Sequence, residues 1–503
     1  TRTQTTTAGA ASFTGVWLDR AGSGYTLTVE LPGATADTSA TFDITPAAAT
    51  GLGVITQPDT GEVGAELLLA VAVQDEFGNT VSDTTATIRL SFGPDPGSAV
   101  LSGRLEETTT AGVATFDSVL IDLPGSYTLD AAATGVALWQ VRSRPIDLSL
   151  TFASVYAGQQ YSCGHTVAQR VYCWGESRDG TTSYFVTPYP IQNDGGNRYT
   201  ELTLSDQWGA SAVTASGDWQ YFFDANRSFQ PGDVNVGAPV SRPGSGSRHH
   251  CAIGDAGDAY CYGWNTSGQL GNGDTTRAVY ENAPVPVSGG IAFSRVDGGY
   301  DHTCGLDEFG AAFCWGSSAY GQLGAGGAAS ETECLGPPCS LTPIAVVGQH
   351  TFQSIAVGDL HTCGLTTGGE LYCWGRNTDG QLGSAAGDSS SAPVRVNDPA
   401  SGPVTWVAVS GGAAYTCGVT DTGSAYCWGN NPDGQLGIGT TGGSYTTPHP
   451  VAGELSFAGI DGGVSHTCAW TAAGQAYCWG SNSRGQLGDG TGGDSAEPVP
   501  VIQ

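Results

Sequence analysis

Apolar and polar positions alternate in short runs along most of this chain, and the runs are separated by glycine, proline, asparagine and aspartate. In VITQPDTGEVGAELLLAVAVQDEFGNTVSDTTATIRLSFG (54–93) the alternation is broken by DEFGN, and the stretch is ended by PDPG at 94–97. A period of two between turn signals predicts half-buried β-strands. No segment sustains the period of 3.6 that a helix requires, so the expected class is all-β. The longest strongly apolar run, LLLAVAV at 67–73, is far too short to span a bilayer as a helix.

Two kinds of internal repetition organise these strands. TTTAGAASFTGVWLDRAGSGYTL at 5–27 recurs as TTTAGVATFDSVLIDLPGSYTL at 108–129. The second copy has about fifty residues of strand-like sequence before it, and together they predict an immunoglobulin-like β-sandwich with its linker over 47–146. Residues 1–46 match only the second half of such a module, so the chain is expected to begin in mid-domain. An unpaired half-module presents Phe13, Val16, Leu18, Tyr25 and Leu27 as a candidate assembly face.

The other repeat runs through 147–503. Anchored on its first cysteine, it recurs at Cys163, Cys251, Cys304, Cys363, Cys417 and Cys468, and each copy carries a cysteine ten positions on and an aromatic-Gly pair, with a glycine six positions on in all but the first and usually GQLG. A degenerate copy in WGASAVTASGDWQYFF keeps the spacing at Ser211, Gly217 and Tyr221 without either cysteine. Seven copies at steps of about 40 to 60 residues predict a propeller with one four-stranded sheet per repeat.

Within a repeat, two β runs flank a glycine turn, so the two cysteines face each other on antiparallel strands. The expected pairs are Cys163–Cys173, Cys251–Cys261, Cys304–Cys314, Cys363–Cys373, Cys417–Cys427 and Cys468–Cys478, with Cys334–Cys339 in ETECLGPPCS as a seventh. Each hairpin pair closes a short loop worth about 2 to 3 kcal/mol. The aromatics after the second cysteine (Trp174, Tyr262, Trp315, Trp374, Trp428, Trp479) read as wedges between blades. The tail AEPVPVIQ (496–503) is expected to close the ring by pairing with LSLTFASVYAG (148–158).

The elements WGRNTDGQLG (374–383), WGNNPDGQLG (428–437) and WGSNSRGQLG (479–488) make 147–503 resemble the regulator of chromosome condensation family of seven-bladed propellers. That family includes nuclear exchange factors for a small GTPase, photoreceptors and a secreted bacterial inhibitor of β-lactamases. No functional residue of these members can be matched onto the chain. The cysteine pair in six repeats departs from the intracellular members and looks like exported bacterial ones, while the QDEFGNTV turn and the TTTAGVATF run look like Ig-like modules of bacterial surface proteins.

Charge narrows the partners. There are 47 acidic and 17 basic residues, all of the latter arginine, for a net charge of −30. Such a chain repels nucleic-acid phosphates and anionic lipids. Fourteen regularly spaced cysteines imply an oxidising compartment, hence an extracellular or cell-surface location. The chain shows no GxSxG elbow, HExxH helix or P-loop, and every cysteine has an expected partner, so neither an enzyme nor a cofactor is expected.

His249, His302, His361 and His466 each stand two residues before a repeat cysteine, but equivalent residues of adjacent blades lie far apart and no metal site is expected. GDGTGGDS (488–495) lacks the ligand spacing of an EF-hand and reads as a solvated loop. Sequons at Asn226 and Asn265 mark two candidate glycosylation sites.

The expected function is that of a non-enzymatic extracellular structural or adhesive protein, joined through its Ig-like modules into a cell-surface or fibre-like assembly. The alternative is a secreted protein-binding module using one propeller face, with Trp208 and Trp219 in the irregular second repeat as the candidate partner-binding residues.

Overall fold

The computed structural model describes all residues except 1, 136–138, 177–183, 191–197, 206–208, 223–230, 275–279 and 328–337. Every regular element among the described residues is a β-strand, and no helix is long and apolar enough to cross a membrane. The chain divides into two compact units, residues 1–149 and 150–503.

In the first unit, one four-stranded sheet runs Glu106–Thr108, Thr87–Phe92, Leu129–Ala133, Gln140–Arg142, and another runs Gly51–Thr56, Leu67–Gln74, Val113–Ile121, Leu101–Gly103. Alternation along Val113–Ile121 buries Ala114, Phe116, Val119 and Ile121, with a bulge between Phe116 and Val119 that restores the inward set. Against them lie the buried Leu69, Val71 and Val73 of the paired strand. The DEFGN turn is held by Asp75, whose carboxylate accepts the N–H groups of Phe77 and Asn79 at 2.9 Å each. Residues 1–46 hold only two short strand pairs, Gly22–Tyr25 with Phe42–Ile44 and Thr28–Val29 with Asp37–Thr38.

The second unit consists of seven four-stranded antiparallel sheets, each built from four consecutive strands. In the fifth, for example, Phe352–Val357, His361–Thr366, Leu371–Arg376 and Ser389–Arg395 follow one another outward. We number these blades 1 to 7 in chain order.

Two sequence expectations about the ends of the ring are corrected. LSLTFASVYAG does not act as one segment: Ile146–Ser149 pairs with Gly125–Tyr127 and Thr60–Glu62 in the first unit, whereas Phe152–Ala157 is the innermost strand of blade 1. The division therefore falls three residues later than the 146/147 boundary expected.

Nor does the C-terminal tail pair with blade 1. Ser495–Pro500 is the outermost strand of blade 7, with Pro500 opposite Tyr477 and Val499 opposite Cys478. The reason is visible in other blades, where Pro190, Pro286 and Pro450 stand opposite Tyr172, Tyr260 and Tyr426. Each repeat ends in a proline-bearing edge strand, which needs no donor on its outer side, and the tail is simply the last of these. Closure is made by packing between whole blades. Ala157 donates its N–H to Asp461 at 2.9 Å, and Phe152 donates to the Gly474 carbonyl at 3.0 Å.

Candidate functional site

The repeat consensus residues converge at the seams between blades. In the GQLG turn, the Leu382 N–H donates to Asn377 Oδ1 (2.9 Å) and the Asp379 N–H donates to Gln381 Oε1 (3.0 Å). The same two bonds recur at Leu436 with Gln435 and at Leu487 with Gln486. This leaves the glutamine's own carbonyl aimed into the seam. There it receives the next blade's tryptophan: Trp315 Nε1 donates to Gln269 O, Trp374 to Gln322 O, Trp428 to Gln381 O, Trp479 to Gln435 O and Trp174 to Gln486 O, all within 2.9–3.0 Å.

The last glycine of GQLG must be glycine. At Gly324 φ is +65°, and a Cβ there would sit 2.8 Å from Trp374 Nε1.

The same carbonyls also accept hydroxyl groups, and these determine the histidine chemistry. Thr303 Oγ1 donates to Gln269 O (2.7 Å), so its lone pair accepts from His249 Nε2–H (2.7 Å). His302–Thr362 (3.0 Å), His361–Thr416 (2.8 Å) and His466–Ser162 (2.7 Å) repeat this chain, the last one across the closing seam. All four imidazoles are fully buried and carry their proton on Nε2. Burial pulls their pKa values well below the usual 6.5, to about 4 for His249 and His361 and about 3 for His302 and His466.

The candidate histidines are therefore seam pins, each in a different seam. No group of three or more His, Cys, Asp or Glu placed to hold a metal occurs among the described residues.

The innermost strands surround a cavity of about 420 Å³, lined among others by Glu201, Arg242, Arg295, Asp297, Asp359 and Asp461. Burial raises the Asp297 carboxyl to about 6, against the lowering effect of the Val357 N–H, Arg295 and the Gly298 N–H. Asp461 is spoken for structurally, since it also accepts the Ser410 hydroxyl at 3.0 Å. Asp297 and Asp461 thus tie innermost strands together, Asp297 by accepting the Val357 N–H and Asp461 the Ala157 N–H.

One end of the propeller carries a different composition. The loops from first to second strand and from third to fourth strand emerge at the same end of each up-and-down sheet. In blades 3 to 5 they carry two Arg–aromatic groups, Arg248 with Trp264 and Tyr300, and Arg376 with Tyr320. The Arg248 guanidinium lies 5.2 Å from the Trp264 ring centre and 5.3 Å from that of Tyr300, and Arg376 lies 5.7 Å from that of Tyr320. Nothing in the sequence reading singled these residues out. The signal was there in the departures from consensus: Trp264, Tyr300 and Tyr320 are aromatics at positions where the other cysteine-bearing repeats have none.

The remaining sequence candidates fall as follows. Trp219 is a correction: it is buried with Val213, Val240, Ala252 and Tyr262, and its indole donates to Ser211 Oγ. It stands opposite Val213, the position held by the buried Leu371 opposite Leu365 and Ala425 opposite Val419, so strand alternation directs it inward. Trp208 lies outside the described residues.

Asn265 is likewise corrected as a glycosylation site. Its side chain is buried and accepts the Leu270 N–H at 3.1 Å, the role Asn377 has in blade 5. Asn226 lies outside the described residues. Phe13, Val16, Leu18 and Leu27 are exposed, while Tyr25 is half-buried against Phe42.

Six hairpin disulfides, Cys163–Cys173, Cys251–Cys261, Cys304–Cys314, Cys363–Cys373, Cys417–Cys427 and Cys468–Cys478, join directly opposed residues. Cys339 is disulfide-bonded, and Cys334 lies outside the described residues.

Comparison with known proteins agrees with this architecture. The chain is 32% identical over 321 residues to the ultraviolet-B receptor UVR8 of Arabidopsis thaliana, an alignment spanning 59% of this chain and 70% of the receptor. It is 28% identical over 291 residues to the secretion-regulating guanine nucleotide exchange factor of Bos taurus, covering 56% of this chain and 60% of that protein. The solved structure of human WBSCR16 superposes with a TM-score of 0.58 at 19% identity, over 66% of this chain and 94% of the other. Residues 246–503 match the RCC1-like domain, and with half of its length in that match the chain belongs to the RCC1-like β-propeller family.

Proposed function

We propose that this protein is a non-enzymatic, extracellular protein-binding module, in which a disulfide-pinned seven-bladed propeller presents one face to a protein partner and Ig-like N-terminal modules tie it into a cell-surface or fibre-like assembly. The observation that carries the binding role is the pair of Arg–aromatic groups at one propeller end, Arg248 with Trp264 and Tyr300 and Arg376 with Tyr320. Arginine and large aromatics are the residue types that dominate protein interfaces, because they combine broad apolar contact with directed polar bonds. Stacking on tyrosine and tryptophan holds the two guanidinium groups in place before a partner arrives, which lowers the ordering cost of binding. Arg376 is also paired with Asp379 at 3.5 Å and Arg248 lies beside Asp301, so the two guanidinium groups offer directed donors rather than net positive charge.

Export is supported by the buried hairpin disulfides. That the reported relatives include a receptor and an exchange factor supports a regulatory, protein-directed role over catalysis on a small molecule.

The test is affinity capture from the medium of the producing cells, using the native protein and a variant with Tyr320→Ala and Arg376→Ala. Capture of a defined partner by the native protein, reduced at least tenfold in the variant while both melt alike, is the expected result. Equal capture by both overturns the assigned face. Thiol titration of the native protein tests the compartment, since free thiols in the blade hairpins would place it in a reducing one.

A further inference from the structure

The innermost strands of the seven blades are not alike where they line the axial cavity. Opposite the residue two places after the first repeat cysteine, blades 1, 5, 6 and 7 carry Ser154, Ser354, Ala408 and Gly459. Blades 2 and 4 carry Glu201 and Arg295 at that register. Blade 3 keeps Ser241 there, opposite Ile253, and then bulges, so that Arg242 and Pro243 precede Gly244, which regains register opposite Cys251. Three successive blades thus bring Glu201, Arg242 and Arg295 to the cavity, where the other four have small residues at the equivalent position.

The bulge holds Arg242 at a φ of +51°, a left-handed conformation that a residue with a side chain keeps only where its surroundings impose it. Here the Arg242 N–H donates to the Glu201 carboxylate, and its Nη1 donates to the carbonyl of Ser294, next to Arg295. Arg242 is thereby spent on joining blades 2, 3 and 4. Arg295 is not. Its side chain is exposed, lines the cavity, and makes no hydrogen bond or ion pair among the described residues.

Two places on, Asp297 lies on the same face of the strand, since Val296 between them is buried on the other. Along a strand that spacing is about 7 Å. Each Asp297 oxygen accepts one main-chain N–H, from Gly298 at 3.0 Å and from Val357 at 2.9 Å, which leaves each a second lone pair. Burial raises the Asp297 carboxyl although Arg295 draws it down, so the guanidinium compensates it only in part. The charged lining as a whole is four carboxylates, Glu201, Asp297, Asp359 and Asp461, against the two guanidinium groups. A simple anion is repelled by that balance, and a simple cation leaves the donors of Arg295 unused.

We infer that the axial cavity is a binding site for a small zwitterion, whose carboxylate takes the paired N–H groups of Arg295 and whose ammonium donates to Asp297. Guanidinium and carboxylate match in a planar two-bond contact, and the ammonium gives Asp297 a cationic donor of its own. A cavity of about 420 Å³ takes a molecule of amino-acid size. The site uses none of the Arg–aromatic residues, so it goes beyond the protein-binding reading and does not rest on it.

The probes are glycine, γ-aminobutyrate and succinate, titrated calorimetrically into the full chain at constant ionic strength. At least one of the two zwitterions should bind saturably and one-to-one, with succinate at least tenfold weaker. Arg295→Gln and Asp297→Asn should each weaken that binding at least tenfold, while Arg395→Gln, on the outermost strand of blade 5, leaves it unchanged. In the unsubstituted chain, which requires no variant to fold, the bound zwitterion should slow phenylglyoxal modification of Arg295 at least fivefold and leave Arg395 reacting as before. No saturable binding of either zwitterion, succinate binding as tightly, unchanged affinity in Arg295→Gln, or Arg295 reacting equally fast in saturating zwitterion would each overturn the inference. Capture at the propeller face and the thiol titration are unaffected by any of these outcomes, so the two readings fail separately.

Discussion

At the scale of single residues, the histidines that precede the repeat cysteines show how one side chain can read as a ligand and act as a pin. Each imidazole gives its Nε2 proton to a hydroxyl that is itself committed to a glutamine carbonyl, and a second proton would have to sit on Nδ1, which is buried without a hydrogen-bond partner, so charging the ring is costly. Unfolded imidazoles protonate near 6.5, whereas His249, His302, His361 and His466 resist protonation to about 3 to 4, and His250, buried beside His249, to about 3. Between those values the unfolded chain binds more protons, so this stability is complete above about pH 6.5 and is lost as pH falls toward 4. Asp297 acts in the opposite sense: raised to about 6 from 3.8, it adds stability below 3.8 that is lost as pH rises through 6. Five imidazoles outweigh one carboxyl. The melting temperature is therefore expected to fall between pH 6.5 and 4, with a shallower fall after His361→Gln, and scanning calorimetry showing no change over that range would contradict the assignment. The sequence made the histidine spacing visible but not the acceptor, since Thr303 and Gln269 come from different blades.

At the scale of elements, the blade hairpin is the unit most fully readable from sequence. The ten-residue step between cysteines and the glycine turn between them specify an antiparallel register, and Cys363 does stand opposite Cys373. Blade 2 keeps that register without the bridge, with Ser211 opposite Tyr221. Introducing Ser211→Cys and Tyr221→Cys together should create an additional hairpin disulfide, seen as a loss of two hydrogens in non-reducing mass spectrometry. Two alkylatable thiols in the folded protein would show that the register differs in solution. The opening sequence at 5–27 marks the limit of this local legibility. Its turn forms at Thr7–Ala10 as in the second copy, yet its strand does not, because a strand's hydrogen bonds and burial are supplied by neighbours outside its own residues. Trp219 and Asn265 differ from the sequence expectation for a related reason. Each is polar or aromatic in a turn-rich stretch, and only alignment with the equivalent residues of intact blades reveals an inward position.

At the scale of the whole molecule, the ring is held shut by the same contacts that separate any two blades. Ser162 and His466, 304 residues apart, meet at 2.7 Å, and the Trp174 indole reaches the Gln486 carbonyl at 2.9 Å. Ser162→Ala leaves a buried imidazole N–H without its acceptor and should cost about 1 to 3 kcal/mol, read as a lower urea midpoint. An unchanged midpoint would mean that the closing seam carries no such strain-bearing bond. Because every blade is made of consecutive strands, loss of the final strand would expose the outer edge of blade 7 and leave the closing seam in place.

What the sequence determined by itself was whatever repeats within hydrogen-bonding reach along the chain: the all-β class, the number of blade-like copies, the opposed cysteines and the glycines of the GQLG turns. Strand period and hairpin register are local, and seven noisy copies reinforce one another. What only the tertiary structure decided was how the copies meet. The pinning of His249 by Thr303, the burial of Trp219, the C-terminal strand's place in its own blade and the stacking of Arg248 on Trp264 and Tyr300 between blades 3 and 4 all depend on side chains far apart in sequence. Their positions follow from close packing between blades, which no spacing along the chain encodes.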